Sequence, residues 1–392
     1  MERVGIYGGT FNPPHIGHIQ AAEQAYRALR LDRLLLIPDA IAPHKEFPSN
    51  TPAPEHRLKM LQLAVKEAPC LEISDLELQR PGVSFTCETI GSLKDAYPGV
   101  QLVLLMGSDM FLSFETWKNY RQILDTVVLG VFCRGDRGER EAIAGQKQKL
   151  EALGGRIELV DNTVNAISST QLRRLLAFHG ADEFLPAGVG DYIREHGLYD
   201  VNADWKNLPM EQLEKVVVGL MKPNRVRHIL GVRDTAVKLA ELNGANVVDA
   251  GRAGILHDVT KALDGPLQLT LCRAYGKMLD DFSLKNPKTL HAYTGALVAK
   301  DIFGENQAVV DAIACHTTGK ADMNLLETIL YVADYMEPNR DFPGVEKLRA
   351  LAFTDVHAAL KLGMEMTLAH LKEQGSEISP ETQEALDWLN VK

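Results

Sequence analysis

Long hydrophobic runs are missing from this chain of 392 residues. The longest apolar stretches, such as Leu34–Pro38 and Val127–Phe132, fall far short of the roughly 20 residues that cross a bilayer, so no membrane partner is expected. Cysteine is sparse as well. The five cysteines, at positions 70, 87, 133, 272 and 315, are odd in number, scattered, and nowhere spaced Cys-x-x-Cys. That excludes a disulfide framework and a thiolate metal site, and fits the reduced thiols of a cytosol. Met1 is followed by Glu2, Arg3 and an apolar run, without a signal-peptide pattern, so a cytoplasmic location is the expectation. There is no excess of positive charge: 42 Lys and Arg stand against 52 Asp and Glu, and residues 1–200 hold 21 and 26 of them, leaving the same numbers for the rest. Neither half is therefore a basic nucleic-acid domain, and any phosphate binding must come from a local cluster. Internal repeats and low-complexity tracts are absent too.

What is present is an ordinary globular composition, 45% hydrophobic and 24% charged, long enough for two or three domains. In the first half, short apolar runs at 4–7, 34–38, 100–107, 127–132 and 156–160 read as buried strands. Helical patterns at 18–29, 54–68 and 84–96 lie between them. This alternation predicts a doubly wound, Rossmann-like α/β sheet, with ligands at the carboxyl ends of its strands. From about residue 208 the helical period dominates, over 209–221, 225–243, 249–262, 266–279, 290–303, 305–316, 323–336, 355–373 and 380–390. The polar segment 199–209 separates the two regimes. The expected organisation is an α/β domain over 1–203 followed by an all-α domain over 204–392.

The segment YGGTFNPPHIGH, Tyr7 to His18, follows the first strand. Gly8 and Gly9 lack a Cβ that would keep phosphate oxygens from the main chain, and a helix start offers unpaired N–H groups. His15 and His18, three apart, can converge on one anion, while Asn12 and two prolines hold the loop. Far along the chain, ISSTQLRR (167–174) places Ser168, Ser169 and Thr170 before a helix with Arg173 and Arg174 in its first turns, a second anion cradle. Two such cradles suit a triphosphate gripped from both sides. The bland alternatives are a tight turn with exposed histidines and an ordinary capped helix.

These two motifs together resemble the HxGH nucleotidyltransferase superfamily and, in detail, bacterial nicotinate-nucleotide adenylyltransferases. The stretches PDAIAPHK, HRLKML, SFTCETI and LLMGSDMFLSFETWKNY add to the likeness, which covers roughly residues 1–200. The resemblance implies in-line attack of a mononucleotide 5′-phosphate on the α-phosphorus of ATP, with Mg²⁺ arriving on the ATP. It implies that His15, His18, Lys45 and Arg173 stabilise charge on the reacting phosphates. Gly8, Gly9, Thr10, Ser169 and Thr170 would hold the triphosphate, Asp109 would bind a ribose hydroxyl, and Thr86 and Trp117 would receive the nicotinate ring. Another phosphorylated acceptor remains an open alternative.

The helical half carries polar residues where helices should be dry. His228, His257, Asp258, His291, His316 and Asp334 each adjoin an apolar run, and Asp334 shares a face with Leu330. A buried carboxylate without a partner costs several kcal/mol, so something must compensate it. A shared cation would do so for all six, and imidazole with carboxylate favours Fe, Mn, Zn or Mg. The pattern resembles the HD-domain phosphohydrolases over 209–392, and is most similar to symmetrical diadenosine-tetraphosphate hydrolases through HDVTK, HTTG and YVADYMEPNRDFPGV. That likeness implies a first metal, iron or another divalent ion, on His228, His257, Asp258 and Asp334. His291 and His316 would take a second metal or phosphate, Lys261 would meet phosphate or activate water with Asp258, and Arg340 would clamp a terminal phosphate. The expected substrates are ATP, nicotinate mononucleotide and a dinucleoside polyphosphate, with no nucleic-acid partner. The alternative is a helical half that senses nucleotide or binds a partner without catalysis; homo-oligomer formation is left open.

Overall fold

The computed structural model describes residues 1–41, 50–80, 82–133, 137–162 and 167–391. It divides into two compact units, Met1–Ala177 with Ala181–Asn202, and Phe178–Gly180 with Ala203–Lys392.

The first unit is built on six parallel strands, β1 (Arg3–Gly9), β2 (Arg33–Pro38), β3 (Leu71–Ile73), β4 (Gln101–Gly107), β5 (Val128–Cys133) and β6 (Arg156–Asp161), in the order β3-β2-β1-β4-β5-β6. Parallel strands bury both faces, and β5 is buried at every position. Alternation sorts the side chains: Leu102, Leu104 and Met106 of β4 pack with Val4 and Ile6 on one face. Val103 and Leu105 pack with Leu34 and Leu36 on the other. Strand order reverses between β1 and β4, and the crevice beyond the carboxyl ends of those two strands is where such sheets bind ligands. The expected strands are all present. The short edge strand β3 was not expected, because three residues cannot carry a recognisable alternation.

The second unit is helical. Its principal helices are Met210–Leu220, Pro223–Asn243, Val247–Leu256, Gly265–Ala274, Leu290–Asp301, Gln307–Cys315, Leu325–Met336, Val345–Ala352, Val356–Glu373 and Pro380–Val391. Side-chain caps fix the starts of several of them: Asn246 accepts from the N–H groups of Val248 and Asp249, and Asn324 and Glu327 form a reciprocal capping box. Where Gly254 faces Arg233 the helix backbones nearly touch; a Cβ on Gly254 would lie 2.7 Å from the Arg233 Cα. No helix among the described residues is long and apolar enough to cross a membrane.

Candidate functional sites

β1 ends at Gly8 and Gly9, and the chain turns through Phe11 and a cis Asn12–Pro13 bond into the helix Ile16–Ala28. A Cβ on Gly8 would meet nothing within 4 Å, so the main chain borders open space there. The rings of His15 and His18 stack with centroids 3.6 Å apart. The His15 N–H donates to His18 Nδ1 at 3.2 Å. With Nδ1 accepting, a neutral His18 carries its proton on Nε2, where it can donate to a phosphate oxygen. Phe11 supports the His18 ring edge-on at 5.2 Å.

The distant motif meets this loop. Arg173 Nη1 donates to the Asn12 carbonyl at 2.8 Å, Nη2 donates to Thr170 Oγ1 at 3.2 Å, and Ser169 Oγ donates to the Pro13 carbonyl at 3.5 Å. Ser168 Oγ accepts from the Gln171 N–H at 3.2 Å and caps the helix Ser169–Ala177. Among the described residues no carboxylate pairs with Arg173. Burial lowers its pKa, with Tyr199 partly opposing; burial and then the charge of Arg173 lower that of Arg174. A half-buried guanidinium bonded only to neutral groups favours an anion beside it.

The remaining residues expected in this site sit on neighbouring segments. Thr10 Oγ1 donates to Asp39 Oδ2 at 2.9 Å. Asp109 lies exposed in the first turn of Ser108–Leu112, directly after β4 and so across the crevice from β1. Thr86 opens the helix Thr86–Ala96. Trp117 is partly buried, packs on Phe114 with centroids 5.5 Å apart, and belongs to the core on that face of the sheet. Lys45 lies outside the described residues.

In the second unit, five segments bring four histidines and two aspartates together. His257, Asp258, His291 and His316 are at most 3% exposed. His228 Nε2 lies 3.3 Å from His257 Nε2, 3.1 Å from Asp334 Oδ1 and 3.6 Å from Asp258 Oδ2. Asp258 Oδ1 lies 3.3 Å from His291 Nε2 and 3.9 Å from His316 Nε2. Two triads, His228–His257–Asp334 and His257–Asp258–His316, each keep their donor atoms within 4.8 Å of one another.

The ring tautomers follow from the outer partners. Nδ1 faces the carbonyl of Gly254 in His257 (2.8 Å), of Ile313 in His316 (2.7 Å) and of Lys288 in His291 (2.8 Å), while in His228 it faces Glu337 Oε1 (3.1 Å). All four therefore donate outward and turn Nε2 inward. Burial opposes charge on His257, but Asp258 and Asp334 outweigh it and raise its pKa. Burial and His257 push His316 down to about 4, and burial with Lys261 and His316 keeps His291 neutral. Burial would raise both aspartates; His257 and His291 hold Asp258 well below the usual range, and His228 and Arg340 do the same for Asp334. The ionised carboxylates and the neutral His291 and His316 suit a divalent cation, whereas His257, biased toward its charged form by the two aspartates, would give up its proton when the ion binds. Two observations fit such an ion: Asp258 Oδ1 has no hydrogen-bond donor among the described residues, and the Nε2 atoms of His228 and His257 converge to 3.3 Å. The cluster has the imidazole and carboxylate ligands that could hold a divalent metal ion.

Basic side chains border it. Arg340 Nη2 donates to Asp334 Oδ1 at 2.6 Å. Lys261 Nζ reaches His291 Nε2 at 2.9 Å, and burial lowers its pKa. Lys261 does not lie on a helix as the pattern over 249–262 suggested, because that helix stops at Leu256 and residues 257–262 are turns. His257 Nδ1 takes the Gly254 carbonyl that would carry the next helical rung, and the Lys261 N–H bonds to the Asp258 carbonyl instead.

Residues 6–175 match the cytidylyltransferase-like family model, and residues 225–339 match the HD-domain model. A probable nicotinate-nucleotide adenylyltransferase of Symbiobacterium thermophilum is 35% identical over 204 residues, which are 51% of this chain and 96% of that relative. The chain belongs to the nicotinate-nucleotide adenylyltransferase family. A Mycoplasma pneumoniae protein named probable nicotinate-nucleotide adenylyltransferase/Ap4A hydrolase is 29% identical, covering 86% of this chain and 88% of its own length. Among solved structures, a predicted HD superfamily hydrolase involved in NAD metabolism from Clostridium acetobutylicum is 34% identical, covering 47% of this chain and 98% of that one, with a TM-score of 0.46.

Within this adenylyltransferase-family chain, sequence reasoning passed over three site residues. Arg57, 1% exposed, donates to the carbonyls of Thr10 and Asp39, each at 2.8 Å, and ties the ends of β1 and β2 together. Its signal was position: it shares the buried helical stripe of Met60, Leu61 and Ala64. Arg225 Nε donates to Asp258 Oδ2 at 2.7 Å, and its place three residues before His228 puts both on one helix face. Glu337 read as a turn residue, although its neighbour Pro338 marks the end of the Asp334 helix.

Proposed function

We propose that residues 1–203 transfer AMP from ATP to nicotinate mononucleotide, and that residues 204–392 cleave diadenosine tetraphosphate symmetrically to two ADP. The observation that carries the first activity is the Arg173 bond to the Asn12 carbonyl, which ties a cation with no carboxylate partner among the described residues to the loop that bears the stacked histidines. An acceptor 5′-phosphate oxygen attacks the α-phosphorus of ATP, the bond from that phosphorus to the α–β bridging oxygen breaks, and pyrophosphate leaves carrying Mg²⁺. No covalent enzyme intermediate is needed, so positioning and charge do the work. Gly8 and Gly9 admit the phosphates, His18 Nε2 donates to oxygen on the α-phosphoryl group, His15 orients His18, and Arg173 with Ser169 and Thr170 holds the β/γ end. Lys45 adds a further cation, Asp109 accepts from a ribose hydroxyl, and Thr86 and Trp117 receive the nicotinate ring.

The second activity rests on the inward convergence of four Nε2 atoms on two carboxylates. His228, His257, Asp258 and Asp334 would hold the divalent ion, iron by preference, with His316 and His291 facing a second ion or a phosphate. When bound, the ion supplies positive charge to the polyphosphate oxygens and acidifies water. Lys261 would meet a phosphate oxygen or, with Asp258, activate the attacking water, and Arg225 and Arg340 would take the outer phosphates. Water adds its oxygen to one central phosphorus, the bridge to the other breaks, and both products leave as ADP. The test uses the full chain: His18→Ala abolishes dinucleotide synthesis and spares tetraphosphate hydrolysis, while Asp258→Ala does the reverse. Retained synthesis in His18→Ala would refute the first assignment. A metal-replete wild-type chain inert toward the tetraphosphate would reduce the second half to a sensing module.

A further inference from the structure

The four pocket histidines are oriented in two different ways. Three direct Nδ1 at the carbonyl three residues earlier, which costs the fold little. Gly254 and Ile313 lie in the last turns of their helices, where carbonyls lack an intrahelical partner, and Lys288 lies in the short turn Pro287–Thr289 before its helix. His228 sits in the second turn of the helix Pro223–Asn243, where the upstream carbonyls belong to the ladder, so its acceptor must come from elsewhere. Glu337, 109 residues away in sequence and 1% exposed, supplies it. The other oxygen of Glu337 accepts from Asn339, from the main-chain N–H at 2.7 Å and from Nδ2 at 2.8 Å. Space for the carboxylate comes from Gly231, where a Cβ would lie 2.3 Å from Glu337 Oε2. An imidazole that donates Nδ1–H to a carboxylate, and not to a carbonyl, is a stronger donor through Nε2.

We propose that Glu337 is a positioning residue that, by holding and polarising His228, makes the His228–His257–Asp334 triad the tightest divalent-ion position in the protein. This inference rests on the metal-centre reading above. It is tested in the full-length chain, stripped with chelator and titrated anaerobically with Mn²⁺ and Co²⁺, following bound metal and the Co²⁺ absorption spectrum. Glu337→Gln keeps the shape of the side chain and removes its charge. The tightest ion should bind about 10–100-fold more weakly, with a changed Co²⁺ spectrum, while the metal-free chain melts as wild type. Asn339→Ala, at an exposed position, should weaken the same ion by a smaller factor and serves if Glu337→Gln misfolds. Wild-type affinity in the variant that folds, beside a wild-type chain that takes up metal, overturns the role of Glu337 alone. A wild-type chain that takes up no ion overturns this role together with the metal-centre reading.

Discussion

The close approach at Gly254 gives a demanding test of the second pocket, because the change involves one methyl group and no ligand. In Gly254→Ala the new Cβ would sit 2.7 Å from the Cα and 3.0 Å from the N of Arg233, both main-chain atoms that cannot rotate aside. Carbon atoms rest about 3.5–4.0 Å apart, so the helices Pro223–Asn243 and Val247–Leu256 must part by about 1 Å. His228 rides on the first and His257 follows the second, and their Nε2 atoms now stand 3.3 Å apart. The same displacement moves the carbonyl that orients His257, at 2.8 Å from its Nδ1. Overpacking of this kind costs about 1–3 kcal/mol, and each kcal/mol lowers the melting temperature of a unit this size by about 2–4 °C. The variant should therefore melt several degrees lower, bind divalent ions more weakly and lose most tetraphosphate hydrolysis, with dinucleotide synthesis unchanged. Scanning calorimetry of the metal-free chain, metal titration and the two activity assays read these outcomes. A variant with wild-type melting and wild-type metal affinity would show that the helix contact does not set the pocket.

Two further outcomes concern the first unit. Arg173→Met removes both the charge and the bond to the Asn12 carbonyl, and steady-state kinetics should show a 10²–10³-fold fall in kcat, the size typical of losing one charge-stabilising donor; an unchanged kcat would remove Arg173 from the phosphate site. Arg57→Leu removes the buried donor of the Thr10 and Asp39 carbonyls, so denaturant unfolding should register a loss of about 1–3 kcal/mol; a loss indistinguishable from zero would mean the loop is held by other contacts.

Much of this was legible in the sequence for identifiable reasons. Buried parallel strands announce themselves as short apolar runs, as β1, β2, β4 and β5 did, while the edge strand β6, half exposed, showed as the run 156–160. The histidine loop and the segment 167–174 stood out in the sequence, since glycine, histidine, hydroxyls and arginine at those spacings have few packing uses, and Arg173 and Ser169 join the two. What stayed hidden was whatever depends on which segments meet. Arg57 is a cation in a core stripe, and a lone sequence gives no reason to distinguish it from a solvated arginine. The helix end at Leu256 depends on a histidine side chain taking a carbonyl of its own preceding turn, an event that hydrophobic periodicity does not encode. Glu337 acquires its role only when the helix ending at Met336 is laid against His228.

Among the strands of its sheet β1 is made first, yet in the finished sheet it is bracketed by β2 and β4, and its loop is completed by Arg173. During synthesis its outer edge waits for residues 101–107, and the histidine loop waits until the helix Ser169–Ala177 has emerged. Chains released early would thus carry an exposed template edge without a working pocket, which makes premature termination in this stretch an aggregation hazard.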